Sequence, residues 1–101
     1  MGKKISNTLK TQTLQDLANL LTGGTSLHTA LLILSKQTKH EGLKNRLFKL
    51  HEHTKSGNSL SSVLHQYKEL FSPVVAQLIR TAEKSGTLPE TLDHIVKLFS
   101  E

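Results

Sequence analysis

Six histidines are the residues of this sequence best suited to binding a metal or transferring a proton. His51 and His53 lie two positions apart, which on a helix directs their side chains to nearly opposite sides. They therefore cannot share a metal as residues four positions apart can. None of the other four, which are His28, His40, His65 and His94, has a second histidine at helical spacing. We expect surface or half-buried histidines and no metal site.

Three carboxylates gather around one short segment, RTAEKSGTLPETLDHI, from Arg80 to Ile95. Glu83, Glu90 and Asp93 could offer a hard cation such as calcium the oxygen ligands that it prefers. The interpretation that we favour is structural: Glu90 caps a helix, Asp93 is solvated and Glu83 bonds nearby backbone. The sequence alone leaves both interpretations open.

The rest of the sequence lacks the residues that common catalytic sites require. There is no Cys, which excludes disulfides, thiolate catalysis and Cys-based zinc sites. No Gly-rich phosphate loop is present, and the many Ser and Thr residues stand where helix caps explain them. We therefore predict a protein that is not an enzyme and that has no cofactor.

Basic residues give the chain a formal net charge of +5, which admits nucleic acid, anionic lipid or an acidic protein surface as a partner. Six of them form a basic band around the third predicted helix: Lys36, Lys39, Lys44, Arg46, Lys49 and Lys55. Because the charges are spread around a helix and aromatic stacking groups are scarce, an ordinary solvated face is favoured. A basic helical nucleic-acid-binding module is the alternative, although we expect no nucleic acid partner.

Apolar residues recur with the spacing of six amphipathic helices. Leu14, Leu17, Ala18 and Leu21 line one side of the first helix, which runs from about residue 8 to residue 22. The later apolar stripes contain Leu27 to Leu34, Leu43 to Leu50, Leu60 to Tyr67, Val75 to Ala82 and Leu88 to Phe99. No segment alternates apolar and polar residues as a half-buried strand does. The predicted fold class is all-α.

Glycine, serine and proline mark the helix boundaries. We expect the first helix to stop at Gly23 and Gly24, the third helix to follow Gly42, and the fourth to begin at a Ser59 cap. Ser72 is expected to cap the fifth helix, with Pro73 in its first turn, where proline loses no hydrogen bond.

The turn after the fifth helix carries a further signature. Gly86 is expected to end that helix in left-handed geometry. Thr87 and Glu90 lie three positions apart, which predicts a capping box at the start of the sixth helix.

Two helix starts are internal copies of one another. GTSLHTAL from Gly24 and GNSLSSVL from Gly57 share Gly-x-Ser-Leu and a final Leu, and GTLPETL from Gly86 is a looser third copy. The repeat predicts a six-helix bundle made of three antiparallel αα-hairpins. A generic α-solenoid that receives a peptide is an alternative architecture.

These motifs, taken together, resemble the cytoplasmic domain of the type II secretion F-protein and type IV pilus PilC family of inner-membrane platform proteins. Three ordered blocks carry the resemblance: LQDLANLLTGGTSLHTALLIL, SGNSLSSVL and FSPVVAQLIRTAEKSGTLPETLDHI. The family's last motif, a Gly-Glu-x-Ser-Gly-x-Leu turn, is matched by Glu83, Ser85, Gly86 and Leu88, whereas Ala82 stands in place of its first glycine. Together with Glu90 these are the candidate partner-binding residues.

The resemblance implies a non-catalytic scaffold that docks the cytoplasmic assembly ATPase and neighbouring inner-membrane pilus or secretion proteins. It places the chain on the cytoplasmic side of a bacterial inner membrane, as a soluble fragment whose membrane segment is absent from this sequence. We expect a flexible basic N-terminus over residues 1–7 and one helical domain over 8–101. Leu32 and Ile33 widen the apolar surface of the second helix, so a homodimer is a further expectation.

Overall fold

The computed structural model describes residues 4–68 and 71–100, and within them every regular element is a helix. The six helices are α1 Asn7–Thr22, α2 Leu27–Gln37, α3 Glu41–Lys55, α4 Ser61–Leu64, α5 Pro73–Ser85 and α6 Leu88–Ser100. The all-α prediction is confirmed. The predicted flexible segment 1–7 lies partly outside the described residues, and its last residue, Asn7, is already helical.

Short-range capping explains where several helices begin. The Ser6 hydroxyl accepts a hydrogen bond from the Leu9 N–H at 3.1 Å and so starts α1. The Ser72 hydroxyl accepts from the Val75 N–H at 3.3 Å, with Pro73 as the first helical residue. The prediction for the start of α5 is therefore confirmed.

The turns that join helices depend on glycine where the backbone is left-handed. Gly24 and Gly57, the equivalent glycines of the two repeats, both have φ of 96°. An L side chain is strained in that region, so the repeat retains glycine for conformational reasons.

Two predicted helix starts are wrong. α3 begins at Glu41, so Gly42 lies inside its first turn, and the His40 ring accepts a hydrogen bond from the Leu43 N–H at 3.1 Å. The fourth helix is a single turn over Ser61–Leu64 and leaves Tyr67 outside it. Its N-cap is Leu60, which has no hydroxyl to offer, so the capping group must come from elsewhere in the chain.

The core is built almost wholly from aliphatic side chains contributed by all six helices. Leu31, Leu47, Leu64, Ile79 and Ile95 each keep no more than 2% of their surface exposed. Burial of one such side chain stabilises the fold by about 1.5–3 kcal/mol before the cost of ordering it.

The prediction for the end of α6 is partly wrong. Leu92, Ile95 and Val96 are buried as expected, but Phe99 is 56% exposed. Phe99 lies near the end of α6, where it lines a surface depression together with Asn7, Lys10, Ser72 and Val75.

The helices do not pack mainly within their sequence hairpins. The most extensive contacts join α2 to α3 and α1 to α6, while α1 with α2, α4 with α5 and α5 with α6 share smaller interfaces. The first and last helices therefore close the bundle against each other. This arrangement brings α5 alongside α4.

Candidate functional site

The turn between α5 and α6 has the geometry expected of its glycine. Gly86 adopts φ of 71° and ψ of 28°, the left-handed conformation, and its N–H donates to the Ala82 carbonyl. The next N–H, that of Thr87, donates to the same carbonyl at 3.0 Å. The turn itself thus supplies hydrogen-bond donors to a carbonyl at the end of α5, and the prediction of a left-handed Gly86 is confirmed.

The predicted capping box between Thr87 and Glu90 is not formed. It required the Thr87 N–H as a donor to Glu90, but that N–H already serves Ala82. The Thr87 hydroxyl instead pairs with the Ser85 hydroxyl, with 2.9 Å between the two oxygens. Glu90 is exposed in the first turn of α6. A carboxylate at this position interacts favourably with the helix dipole and needs no specific hydrogen bond.

Glu83 provides the cap that α4 lacks. One carboxylate oxygen accepts from the Leu60 N–H at 2.7 Å, and the other accepts from the Ser61 N–H at 3.2 Å and the Ser61 hydroxyl at 2.5 Å. An anion that receives two N–H groups at a helix start is strongly favoured, because those N–H groups have no partner within the helix. Glu83 therefore ties α5 to the beginning of α4.

The Glu83 cap contradicts the expectation that Ser59 caps the fourth helix. Ser59 contributes only its carbonyl, which accepts from the Ser62 N–H at 3.3 Å and from the Ser62 hydroxyl at 2.6 Å. The favoured structural interpretation of Glu83, a bond to backbone, is correct in kind, although the backbone belongs to a different helix. No local pattern signals this contact, since Leu60 and Glu83 are far apart in sequence.

The three carboxylates of the turn segment serve separate structural roles. Glu83 binds α4, Glu90 faces solvent, and Asp93 accepts a hydrogen bond from the Gln15 side chain at 3.0 Å across the α1–α6 interface. The expectation that Asp93 is merely solvated is therefore wrong. Among the described residues, no three His, Asp or Glu side chains lie close enough together to hold a metal ion.

The remaining motif residues support the turn from both sides. The Ser85 hydroxyl donates to the Thr81 carbonyl at 3.1 Å, one turn back in α5. Leu88 is half-buried and packs against the core at the start of α6. The structure thus brings Ser85, Gly86 and Leu88 together with Glu83 at one end of α5, and the exposed Glu90 lines a surface depression with Ser85.

Two histidines have structural roles that the sequence did not reveal. His40 is the N-cap of α3, a position where Ser, Thr, Asp and Asn are far more common. His51 is buried, and its Nδ1 lies 2.6 Å from the His28 carbonyl, so Nδ1 carries the proton and donates. This bond joins α3 to α2.

The basic band is solvated along most of its length. Lys36, Lys39, Lys49 and Lys55 are exposed on α2, α3 and the loop between them. Arg46 donates to the Gly42 carbonyl at 3.0 Å and so also supports the first turn of α3. The widened apolar surface of α2 is largely covered, because Leu32 and Ile33 are half-buried.

This chain is similar in sequence to known proteins over most of its length. The family described as "Type II secretion system (T2SS), protein F" matches residues 13–101, which extend from within α1 through α6. The type IV pilus assembly protein PilC of Thermus thermophilus is 30% identical over 87 residues. That match covers 86% of this chain but 21% of the PilC protein, so the chain spans about a fifth of its relative's length.

Proteins of this family reside in the inner membrane, and they serve type II secretion and type IV pilus assembly. In the part of the chain that the structure describes, no helix has both the length and the apolar character needed to cross a membrane. The profile match across all six helices, together with the similarity to a pilus assembly protein, shows that the chain belongs to the type II secretion F-protein and PilC family of platform proteins.

Proposed function

We propose that this chain is a non-catalytic scaffold on the cytoplasmic side of a bacterial inner membrane, where it docks the assembly ATPase and neighbouring inner-membrane proteins. The family match over residues 13–101 carries the proposal. Residues 8–101 act in it as one helical domain, joined to the membrane through a segment of the longer protein.

The polar side chains of the turn support a scaffold more than a catalyst. A catalytic acid or nucleophile needs to face substrate, whereas the Glu83 carboxylate is engaged by three donors on α4. The Ser85 hydroxyl is engaged by the Thr81 carbonyl and the Thr87 hydroxyl. These bonds fix helix geometry, which is the property a docking platform requires.

The candidate partner-binding residues divide into two groups in this proposal. Glu83, Gly86 and Leu88 hold the turn in shape through the α4 cap, the left-handed backbone and core packing. Ser85 and Glu90 are exposed at the same end of the bundle and meet the partner. A second copy of the chain is a further partner in the same proposal.

Co-purification with the cognate ATPase tests the docking role. The tagged chain is mixed with the ATPase from the same organism, with and without nucleotide, and the retained ATPase is quantified. We expect retention, and we expect Glu90→Arg to reduce it, because a bulky cation at an exposed contact disrupts a complementary surface.

Glu41→Arg is the matched control for that experiment. Glu41 is exposed in the first turn of α3, so it shares the helix position and charge of Glu90 but lies on another helix. Absence of ATPase retention, or equal loss for both variants, would contradict docking through the α5–α6 turn. Salt-dependent retention on a DNA or RNA column, abolished by neutralising Lys44 and Lys49, would instead favour the nucleic-acid-binding alternative.

A further inference from the structure

Two adjoining surface depressions follow the contact between α4 and α5 and form one groove, the α4–α5 groove. Ser61 and Arg80 line both depressions, which makes them continuous. The first depression is also lined by Ser59, Ser62, Glu83 and Lys84, and the second by His65, Lys68, Phe71, Pro73, Ala76 and Gln77.

The described walls of this groove carry an excess of positive charge. Lys68, Arg80 and Lys84 are all exposed, and Glu83 is the one acidic residue among the described residues that line the groove. Residues 69 and 70 of the connecting segment lie outside the described residues.

The Glu83 cap explains why Glu83 does not neutralise the nearby Arg80. On an isolated helix, Arg80 and Glu83 stand three positions apart and could pair across one turn. In the fold, the Glu83 carboxylate turns instead to the Leu60 and Ser61 donors on α4. Neither Arg80 nor Lys84 has an ion-pair partner among the described residues.

The floor of the groove is apolar. Phe71 is buried beneath it, and Pro73 and Ala76 lie at its α5 side. Serine hydroxyls at the start of α4 add hydrogen-bonding groups along one edge. A strip of this composition suits a peptide that presents carboxylates to the walls and one apolar side chain to the floor.

We propose that the α4–α5 groove binds an acidic peptide segment of a partner protein, through Lys68, Arg80 and Lys84 with an apolar anchor over Phe71. The cations of this groove surround a recessed apolar floor, whereas most cations of the basic band lie exposed on α2, α3 and the loop between them. Nucleic acid is disfavoured here because Phe71, the one benzene ring among the described lining residues, is buried and cannot stack on bases. The identity of the partner as part of the assembly machinery rests on the proposed function, whereas peptide binding is measured independently.

The probe is a short synthetic glutamate-rich peptide with one central leucine, titrated into the isotope-labelled chain. We expect NMR amide shifts to concentrate between residues 59 and 84. A peptide with lysines in place of the glutamates should not bind, and replacing the leucine by serine should weaken binding.

Charge-removal variants localise the interaction. The double variant Arg80→Ala with Lys84→Ala should weaken peptide binding about tenfold, because each exposed charge pair contributes modestly and their effects combine. Lys49→Ala with Lys55→Ala removes the same charge from exposed positions on α3 and should leave binding within about twofold. The charge-conserving variant Arg80→Lys should retain binding and guards against an effect of misfolding.

If the peptide binds, three results would still overturn the groove. They are amide shifts centred on α3, equal weakening by the two double variants, and an oligonucleotide that occupies the same residues more tightly than the peptide. If the peptide does not bind but the ATPase is still retained, the groove proposal is wrong and the scaffold proposal stands. Peptide binding by the groove without any ATPase retention would support the groove and contradict the ATPase as the docked partner.

Discussion

The sharpest prediction concerns the Glu83 cap and a substitution that changes only one carboxylate oxygen to an amide nitrogen, Glu83→Gln. In the structure, one oxygen accepts from the Leu60 N–H and the other from the Ser61 N–H and hydroxyl. Glutamine has a single acceptor oxygen, so either of its two orientations turns an NH₂ group toward one of these N–H donors. At least one backbone N–H at the start of α4 then loses its partner.

The magnitude follows from this loss. Hydrogen bonds to a charged acceptor contribute about 1.5–3 kcal/mol, and an unsatisfied donor costs about 1–3 kcal/mol when buried. Glu83 is half-buried and glutamine keeps part of the cap, so we expect a loss of about 1–2 kcal/mol in the free energy of unfolding. For a domain of this size, 1 kcal/mol lowers Tm by about 4–8 °C.

Chemical denaturation followed by circular dichroism measures the global effect, and amide hydrogen exchange at Leu60 and Ser61 measures the local one. Glu52→Gln is the control, because Glu52 is exposed on α3 and the same chemical change there should stay within about 0.5 kcal/mol. An unchanged denaturation midpoint together with unchanged protection of the Leu60 amide would refute the capping role. A stability loss would also mean that weak pilus assembly by Glu83 variants is not by itself evidence of a partner contact.

Three further experiments test the remaining structural assignments. Gly86→Val should lower the free energy of unfolding by about 1 kcal/mol or more, because φ of 71° strains a β-branched residue, and an unchanged Tm would contradict it. Ser72→Ala should cost about 1 kcal/mol in chemical denaturation by removing the α5 cap, and a neutral result would show that Pro73 alone fixes that start. A double-mutant cycle of Gln15→Ala and Asp93→Ala should give a coupling energy of about 0.5–1 kcal/mol, whereas simple additivity would argue against the α1–α6 hydrogen bond.

Glu83 shows why the candidate site was only partly predictable. The sequence marked it as a motif residue, and the short range of capping patterns suggested nearby backbone as its partner. Its actual partners lie 22 and 23 positions away, on a helix that has no side-chain cap of its own. A residue's type fixes what it can bind, but only the packing of α5 against α4 decides which donors reach it.

The failed capping box at Thr87 illustrates a second limit. Its spacing fits the pattern, yet the N–H that it needs is already used by the Ala82 carbonyl in the Gly86 turn. The capping box and the Gly86 turn both require the Thr87 N–H, and in the structure this group donates to the Ala82 carbonyl of the turn.

The sequence by itself determined the long helices of this protein, the left-handed turn at Gly86 and the cap at Ser72, because each depends mainly on groups within about one helical turn. Tertiary structure alone decided that α1 closes against α6, that Gln15 meets Asp93 across 78 positions, and that Glu83 caps α4 instead of pairing with Arg80. These contacts join segments that many arrangements of the same amphipathic helices could have separated. The packing that buries the most apolar surface selects among them, and it is a property of the whole chain.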